Sequence, residues 1–116
     1  MNTAVNPPSD DAQVEQEIQR KGLTAPRVTP HEIEALADGI VMHSHHFPGT
    51  TCTVSIAVLA NGFVAGFGRS ASVSLANFDA GIGLHIAEKN ARHDAIDKLW
   101  ELEGYAIKKR ISEPQA

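Results

Sequence analysis

The sequence predicts an α+β fold in which a small antiparallel sheet, built around one β-hairpin, is packed by an N-terminal helix and a long C-terminal helical segment. Three observations lead there. From Thr51 to Leu59 the residues alternate, with Cys52, Val54, Ile56 and Val58 on one side and Thr51, Thr53, Ser55 and Ala57 on the other; this is the period-two pattern of a strand. The pair Asn61-Gly62 follows, and it suits a two-residue type I′ turn because both central residues need positive φ. On either side of the hairpin, apolar residues recur at helical spacing.

Residues 1–27 read as a flexible N-terminal arm, 28–112 as a single α+β domain and 113–116 as a tail. Pro7, Pro8 and Pro26 punctuate the arm. Within it, Asp10 to Lys21 has the makings of a weak, mostly polar helix ended by Gly22. Such an arm is either solvated or clasps a neighbouring subunit. The first strong helix begins at Thr29, with Pro30 at its first position and Glu32 completing a T-x-x-E capping box. Behind the cap, Ile33, Leu36, Ala37, Ile40 and Val41 form one stripe, and the stretch from His43 to Pro48-Gly49 is expected to terminate the helix.

A two-residue loop pairs Ala60 with Phe63, Val58 with Ala65, Ile56 with Phe67 and Val54 with Arg69. One face then carries Val54, Ile56, Val58, Phe63, Ala65 and Phe67, and a helix is expected to cover it. The other face carries Thr53, Ser55, Ala57, Gly66, Gly68 and Ser70, small residues that mark close approach of a backbone or ligand. A lone hairpin is marginal, so further strands must come from Ser70 to Leu75, from the His43 to Thr50 region, or from a second subunit. An oligomer is therefore expected. Asn77 or Asp79 caps the last helix, whose stripe runs through Gly83, Ile86, Ala87, Asn90, Ala91, Asp94, Ala95, Leu99 and Leu102. Gly104 is expected to break or kink it.

The formal net charge of -4 argues against long nucleic acid as a partner, since a phosphate backbone demands a basic surface. Cys52 is the only cysteine, which excludes an intrachain disulfide and a Cys-based zinc site. It falls in the expected buried strand, where a thiol is inert. The start has neither a basic nor an apolar signal region, and no run approaches the ~18 apolar residues of a membrane helix. A cytoplasmic location is the expectation.

The histidines His31, His43, His45, His46, His85 and His93 match no metal-binding spacing. His43, His45 and His46 read as a solvated helix terminus, and no metal is expected. Nucleophile elbows, phosphate loops and facing carboxylate pairs are missing from the sequence. A protein that is not an enzyme and needs no cofactor is the reading. Asn90 and Asp94, four apart on a packing stripe, must find hydrogen-bond partners, either in the loop backbone and each other or on a ligand. Arg69 sits at the end of a strand. Lys108, Lys109 and Arg110 either complement a helix dipole or meet phosphate. Phe78 staples a helix start or stacks on a base.

The segment from Thr51 to Ile111 carries Thr51-Cys52-Thr53-Val54, Asn61-Gly62-Phe63, Gly68-Arg69-Ser70-Ala71, Asn77-Phe78-Asp79, Ile82-Gly83, Ile86-Ala87, Asn90-Ala91 and Lys98-Leu99-Trp100-Glu101-Leu102-Glu103-Gly104-Tyr105. On these residues it resembles a family of small tailed-phage proteins that includes the Thoeris anti-defence sponge proteins of the first type. The resemblance implies a phage or prophage protein in the host bacterial cytoplasm. It would bind a cyclic ADP-ribose-type immune signal without degrading it, as a dimer or hexamer, with cyclic oligonucleotides as a second ligand class. By the same resemblance Phe78 stacks on adenine, Asn90 reads base or ribose, and Arg69 and Arg110 meet phosphates, from one subunit or from opposite ones. Asp94 and Lys109 complete the expected ligand set, while Trp100 and Tyr105 are core and helix-junction residues. The alternatives are a protein-interaction module that inhibits a host protein through its hairpin edge, and a His-based metalloenzyme.

Overall fold

A computed structural model describes residues 10–23 and 25–114. The element order is α1 (Asp10–Arg20), α2 (Pro30–Asp38), β1 (Val41–His46), β2 (Thr53–Val58), β3 (Val64–Ser70), a single 3-10 turn (Leu75–Asn77) and α3 (Ala80–Ser112). The three strands form one antiparallel sheet in the order β1-β2-β3. The α+β architecture is therefore as expected, with the third strand drawn from the region between the first strong helix and the hairpin. Residues 1–9 and 24, a part of the expected arm at 1–27, lie outside the described residues, as do 115–116 of the expected tail.

Local chemistry explains each boundary. Thr29 caps α2, its Oγ1 accepting the Glu32 N–H at 3.3 Å. The helix stops at Asp38 rather than running through Val41. Gly39 and Ile40 donate to the Leu36 and Ala37 carbonyls at 3.3 and 3.1 Å, which closes the last turn and frees the chain to extend. His43, His45 and His46 therefore stand on a strand, not at a helix end. The hairpin loop is three residues, Ala60 to Gly62, not two. The Gly62 N–H donates to the Leu59 carbonyl at 2.9 Å and the Leu59 N–H to the Phe63 carbonyl at 2.8 Å. Only Gly62, at φ 90°, takes the left-handed step that such loops require.

The register keeps Ile56 opposite Phe67 and Val54 opposite Arg69, as expected, but Val58 faces Val64. Ala65 is thus the extra residue of a β-bulge, which turns its side chain to the other side of the sheet. That side is the surprise. α3 covers Thr53, Ser55, Ala57, Ala65 and Gly66, while Val41, Val58, Val64 and Phe67 stay partly or fully open to solvent. The large apolar face, expected beneath a helix, is the outer face.

The reason is steric. The buried row of α3 is Gly83, Ala87, Ala91, Ala95 and Leu99, a ridge of small residues at i, i+4 spacing. It lies so close to β3 that a Cβ on Gly66 would be driven into the Ala91 carbonyl and the Ala95 nitrogen. One on Gly68 would strike the Ala87 carbonyl and the Ala91 nitrogen. Only the small-residue face permits that approach. The resulting core is slight: Ala57, Ala65, Ala91 and Ala95, flanked by Ile40, Met42 and Leu59.

Other expectations change with it. Cys52 lies just outside β2 and is only half-buried. Gly104 neither breaks nor ends α3, which continues to Ser112. Ile86, Leu102 and Tyr105 are exposed, so Tyr105 is no core residue. At 33 residues the helix is about 50 Å long, more than twice the roughly 20 Å of a six-residue strand. Its C-terminal half runs well past the sheet. Substituting Gly68 by Ala should cost about 3 kcal/mol or more, the upper end of the overpacking range, because backbone cannot yield as a side chain does. Urea denaturation measures it; a loss under about 1 kcal/mol would show that α3 is free to lift off.

Candidate ligand-binding site

Of the six expected ligand residues, Asn90 and Asp94 bond to the backbone of β3 at its outer edge, Arg69 lies on that strand, and Phe78 stands beyond its end. The Asn90 Nδ2 donates to the Arg69 carbonyl at 3.1 Å. The Asp94 Oδ2 accepts the Phe67 N–H at 2.9 Å. β3 is an edge strand, so these two side chains occupy backbone groups that would otherwise face solvent. The polar pair on the packing stripe therefore has a structural role, the first of the two alternatives open for it. Arg69 stands opposite Val54, exposed on the outer face.

Phe78 follows the 3-10 turn and precedes Asp79, whose Oδ1 caps α3 by accepting the Ile82 N–H at 2.9 Å. Its ring is half-buried and borders a cavity of about 90 Å³ lined by Thr51, Ser70, Asn77, Ile82 and Gly83. Ser70 fixes one wall, its Oγ donating to the Gly83 carbonyl at 2.6 Å. The ring also stacks on His46, with centroids 4.6 Å apart and planes at 19°. His46 is held in turn by a 2.7 Å bond between its Nε2 and the Thr50 carbonyl oxygen. Sequence reasoning missed His46 because its stretch looked like a helix terminus, and only the strand β1 brings it over Phe78.

Lys109 and Arg110 are not part of this cluster. They occupy the last turn of α3, and the 20 residues from Asn90 to Arg110 span about 30 Å of helix. Arg110 instead borders a surface hollow with Arg27 and Glu103. A roomier cleft, about 880 Å³, lies between α1 and the Ile96 and Trp100 side of α3. None of the six expected residues lines it. Among the described residues, no group of three or more His, Cys, Asp and Glu is placed to hold a metal ion.

Beside that cleft, an ion pair ties α1 to the segment that leads into α2. Arg27 grips Glu15 with two bonds of 2.5 and 2.7 Å. The Arg27 bond, then that from Gln19, holds the Glu15 carboxyl down from its ordinary 4.5 to about 2, and Arg27 is raised in return.

Residues 28–111 match the family model described as "Phage protein (N4 Gp49/phage Sf6 gene 66) family". The chain belongs to that phage protein family. A comparison with curated proteins gives no match, and neither does one with solved structures. The span matched to the phage family takes in α2, the sheet and nearly all of α3, whereas α1 and its cleft with α3 begin outside it. No helix among the described residues is long and apolar enough to cross a membrane.

Two outcomes are expected. Replacing Asp94 by Ala should lower stability by about 1.5–3 kcal/mol, the range for hydrogen bonds to charged groups, and speed exchange of the Phe67 amide in the absence of any ligand. Unchanged exchange would mean that the carboxylate does not hold the strand edge. For the ion pair, a depressed folded-state pKa means that its contribution is complete above about 4.5 and fades as pH falls toward about 2. An NMR titration should find the Glu15 midpoint near 2 and, in Arg27→Ala, back in the ordinary carboxylate range.

Proposed function

We propose that this phage protein binds and sequesters a small cyclic nucleotide immune signal, a cyclic ADP-ribose isomer or a cyclic oligonucleotide, without degrading it. The observation that carries the reading is the aromatic platform at the mouth of the Phe78 cavity, with Asn90, Asp94 and Arg69 along the neighbouring strand edge. A flat ring, with amide and carboxylate groups farther along the same helix–strand seam, suits a nucleobase joined to ribose. The resemblance of Thr51 to Ile111 to the sponge proteins supports the same ligand class. The set contains no activated nucleophile and no acid–base pair in hydrogen-bond contact, so binding without turnover is the reading.

A cavity of about 90 Å³ is small beside the roughly 300–1,000 Å³ that encloses a small molecule. One chain therefore offers half a site. Completion by a second copy would also supply the distant cations Lys109 and Arg110. In this reading the protein acts in the cytoplasm of the infected bacterium, where such a signal is made.

A second reading has its own support. The open apolar face around Phe67, itself 63% exposed, suits a module that docks on and inhibits a host protein.

A thermal-shift screen against cyclic ADP-ribose isomers and cyclic di- and trinucleotides separates the two. A sponge gains melting temperature with ligand through mass action, loses the gain in Phe78→Ala, and returns intact ligand after heating. Recovery of cleaved ligand would sink the sponge. No shift with any of these ligands, together with capture of one stoichiometric host protein, would favour the module.

A further inference from the structure

The cleft between α1 and α3 is walled by two helices that do not meet. Among the described residues no Cα of α1 comes within 8 Å of one in α3, and α1 is tied instead through Glu15 and Arg27. Each wall carries an apolar pair four residues apart, Val14 and Ile18 on α1, Ile96 and Trp100 on α3. Each also carries a carboxylate pair at the same spacing, Asp11 and Glu15 on one side, Asp97 and Glu101 on the other. Like charges four apart weaken a helix, and carboxylates on both walls oppose closure of the apolar strip between them. Only Glu15 has a close cation, Arg27 at 2.5 and 2.7 Å. Asp97 meets His93, and Glu101 meets Lys98, each at the looser distance of 3.7 Å. Among the described residues no cation pairs with Asp11.

We propose that this cleft binds an aliphatic polyamine, a methylene chain carrying two or more ammonium groups. The strip formed by Val14, Ile18, Ile96 and Trp100 takes the methylenes, and the carboxylates on both walls take the ammonium groups. The spacing fits. Four residues of helix rise about 6 Å, close to the separation of two ammonium groups joined by four methylenes. One such unit therefore spans Asp97 and Glu101, with its charge beside the Trp100 indole, whose ring face attracts cations. A cation between the walls also turns their mutual repulsion into attraction. The cleft, about 880 Å³, lies within the range of roughly 300–1,000 Å³ usual for small ligands. One turn toward the start of α3 the surface becomes basic, with Lys89 and Arg92 beside His93. That end repels a polycation and confines it to the Trp100 end. Phosphate-bearing ligands have the wrong charge for these walls, and a magnesium ion, which keeps its waters, gains nothing from the apolar strip. The cleft shares no lining residue with the Phe78 cavity, so the polyamine site stands whether or not a nucleotide binds there.

Trp100 is the only tryptophan of the chain, so its fluorescence reads this cleft alone. Spermidine is expected to change the emission saturably, whereas magnesium at matched ionic strength is not. Asp97→Asn combined with Glu101→Gln should weaken spermidine binding about tenfold or more, since both ammonium partners on α3 lose their charge. Both positions are exposed, and an unchanged melting temperature without spermidine checks that the variant is folded. Glu113→Gln, which lies past the end of α3, should bind as the wild type does. The proposal is overturned by the lack of a saturable change with spermidine, by an equal change with magnesium, or by a folded double variant that binds as tightly as before. A change with a lysine- and leucine-rich peptide but none with spermidine also overturns it, and gives the cleft to a protein segment.

Discussion

The distance between α3 and β3 is the constraint from which most of this molecule follows. Gly66 and Gly68 present bare backbone to the helix, and the helix answers with Ala87, Ala91 and Ala95. Two backbones meet with almost no side chain between them, so dispersion contacts are dense but the apolar area removed from water is small. That closeness brings Asn90 and Asp94 within reach of the outer edge of β3, where short polar side chains at ordinary helix–sheet spacing would fall short. The same contact fixes Gly83 under Phe78 and leaves the cavity beside it narrow.

Close packing on small residues displaces the larger ones. Val41, Val58 and Val64 form one row across the outer face, with Ile56 and Phe67 in the next. In a finished α+β domain these residues would supply much of the hydrophobic stabilisation. Here the face that contributes most remains outside, and α3 extends well past the sheet it covers. Both features leave a large share of the apolar surface of the chain open to solvent.

Much of the architecture was legible in the sequence, for physical reasons that differ by element. The Thr29 cap, the Asp79 cap, the β2 alternation and the Ile56–Phe67 register are local effects, decided by residues within a few positions of one another. The orientation of the sheet is not local. Alternation separates Val54, Ile56 and Phe67 from Thr53, Ser55 and Gly66, but it does not say which set meets the helix. The usual rule buries the larger set; the i, i+4 ridge of alanines on α3 overrides it, and that ridge has to be read jointly with Gly66 and Gly68. β1 was hidden for another reason: its inward and outward positions mix Val41 and Met42 with three histidines, so neither period stands out. Within the candidate site, Asn90, Asp94 and Arg69 were legible as polar residues needing partners, but His46 was not, because its place over Phe78 depends on a strand pairing that no short-range pattern shows.

Asn90 and Asp94 hold the edge of β3, and this bears on how the site would bind. Each spends one atom on backbone and keeps others: Asn90 retains its Oδ1 and one N–H, and Asp94 retains its Oδ1. A side chain already tied to a strand has lost much of its rotamer freedom, so a ligand that bonds to it is spared that ordering cost. Phe78 is likewise held, between Gly83 of α3 and the His46 ring. The residues that stabilise the edge would thereby also preorganise the surface that reads a nucleotide. The cations at the end of α3 lie about 30 Å along the helix from Asn90, so within one chain they do not reach this surface.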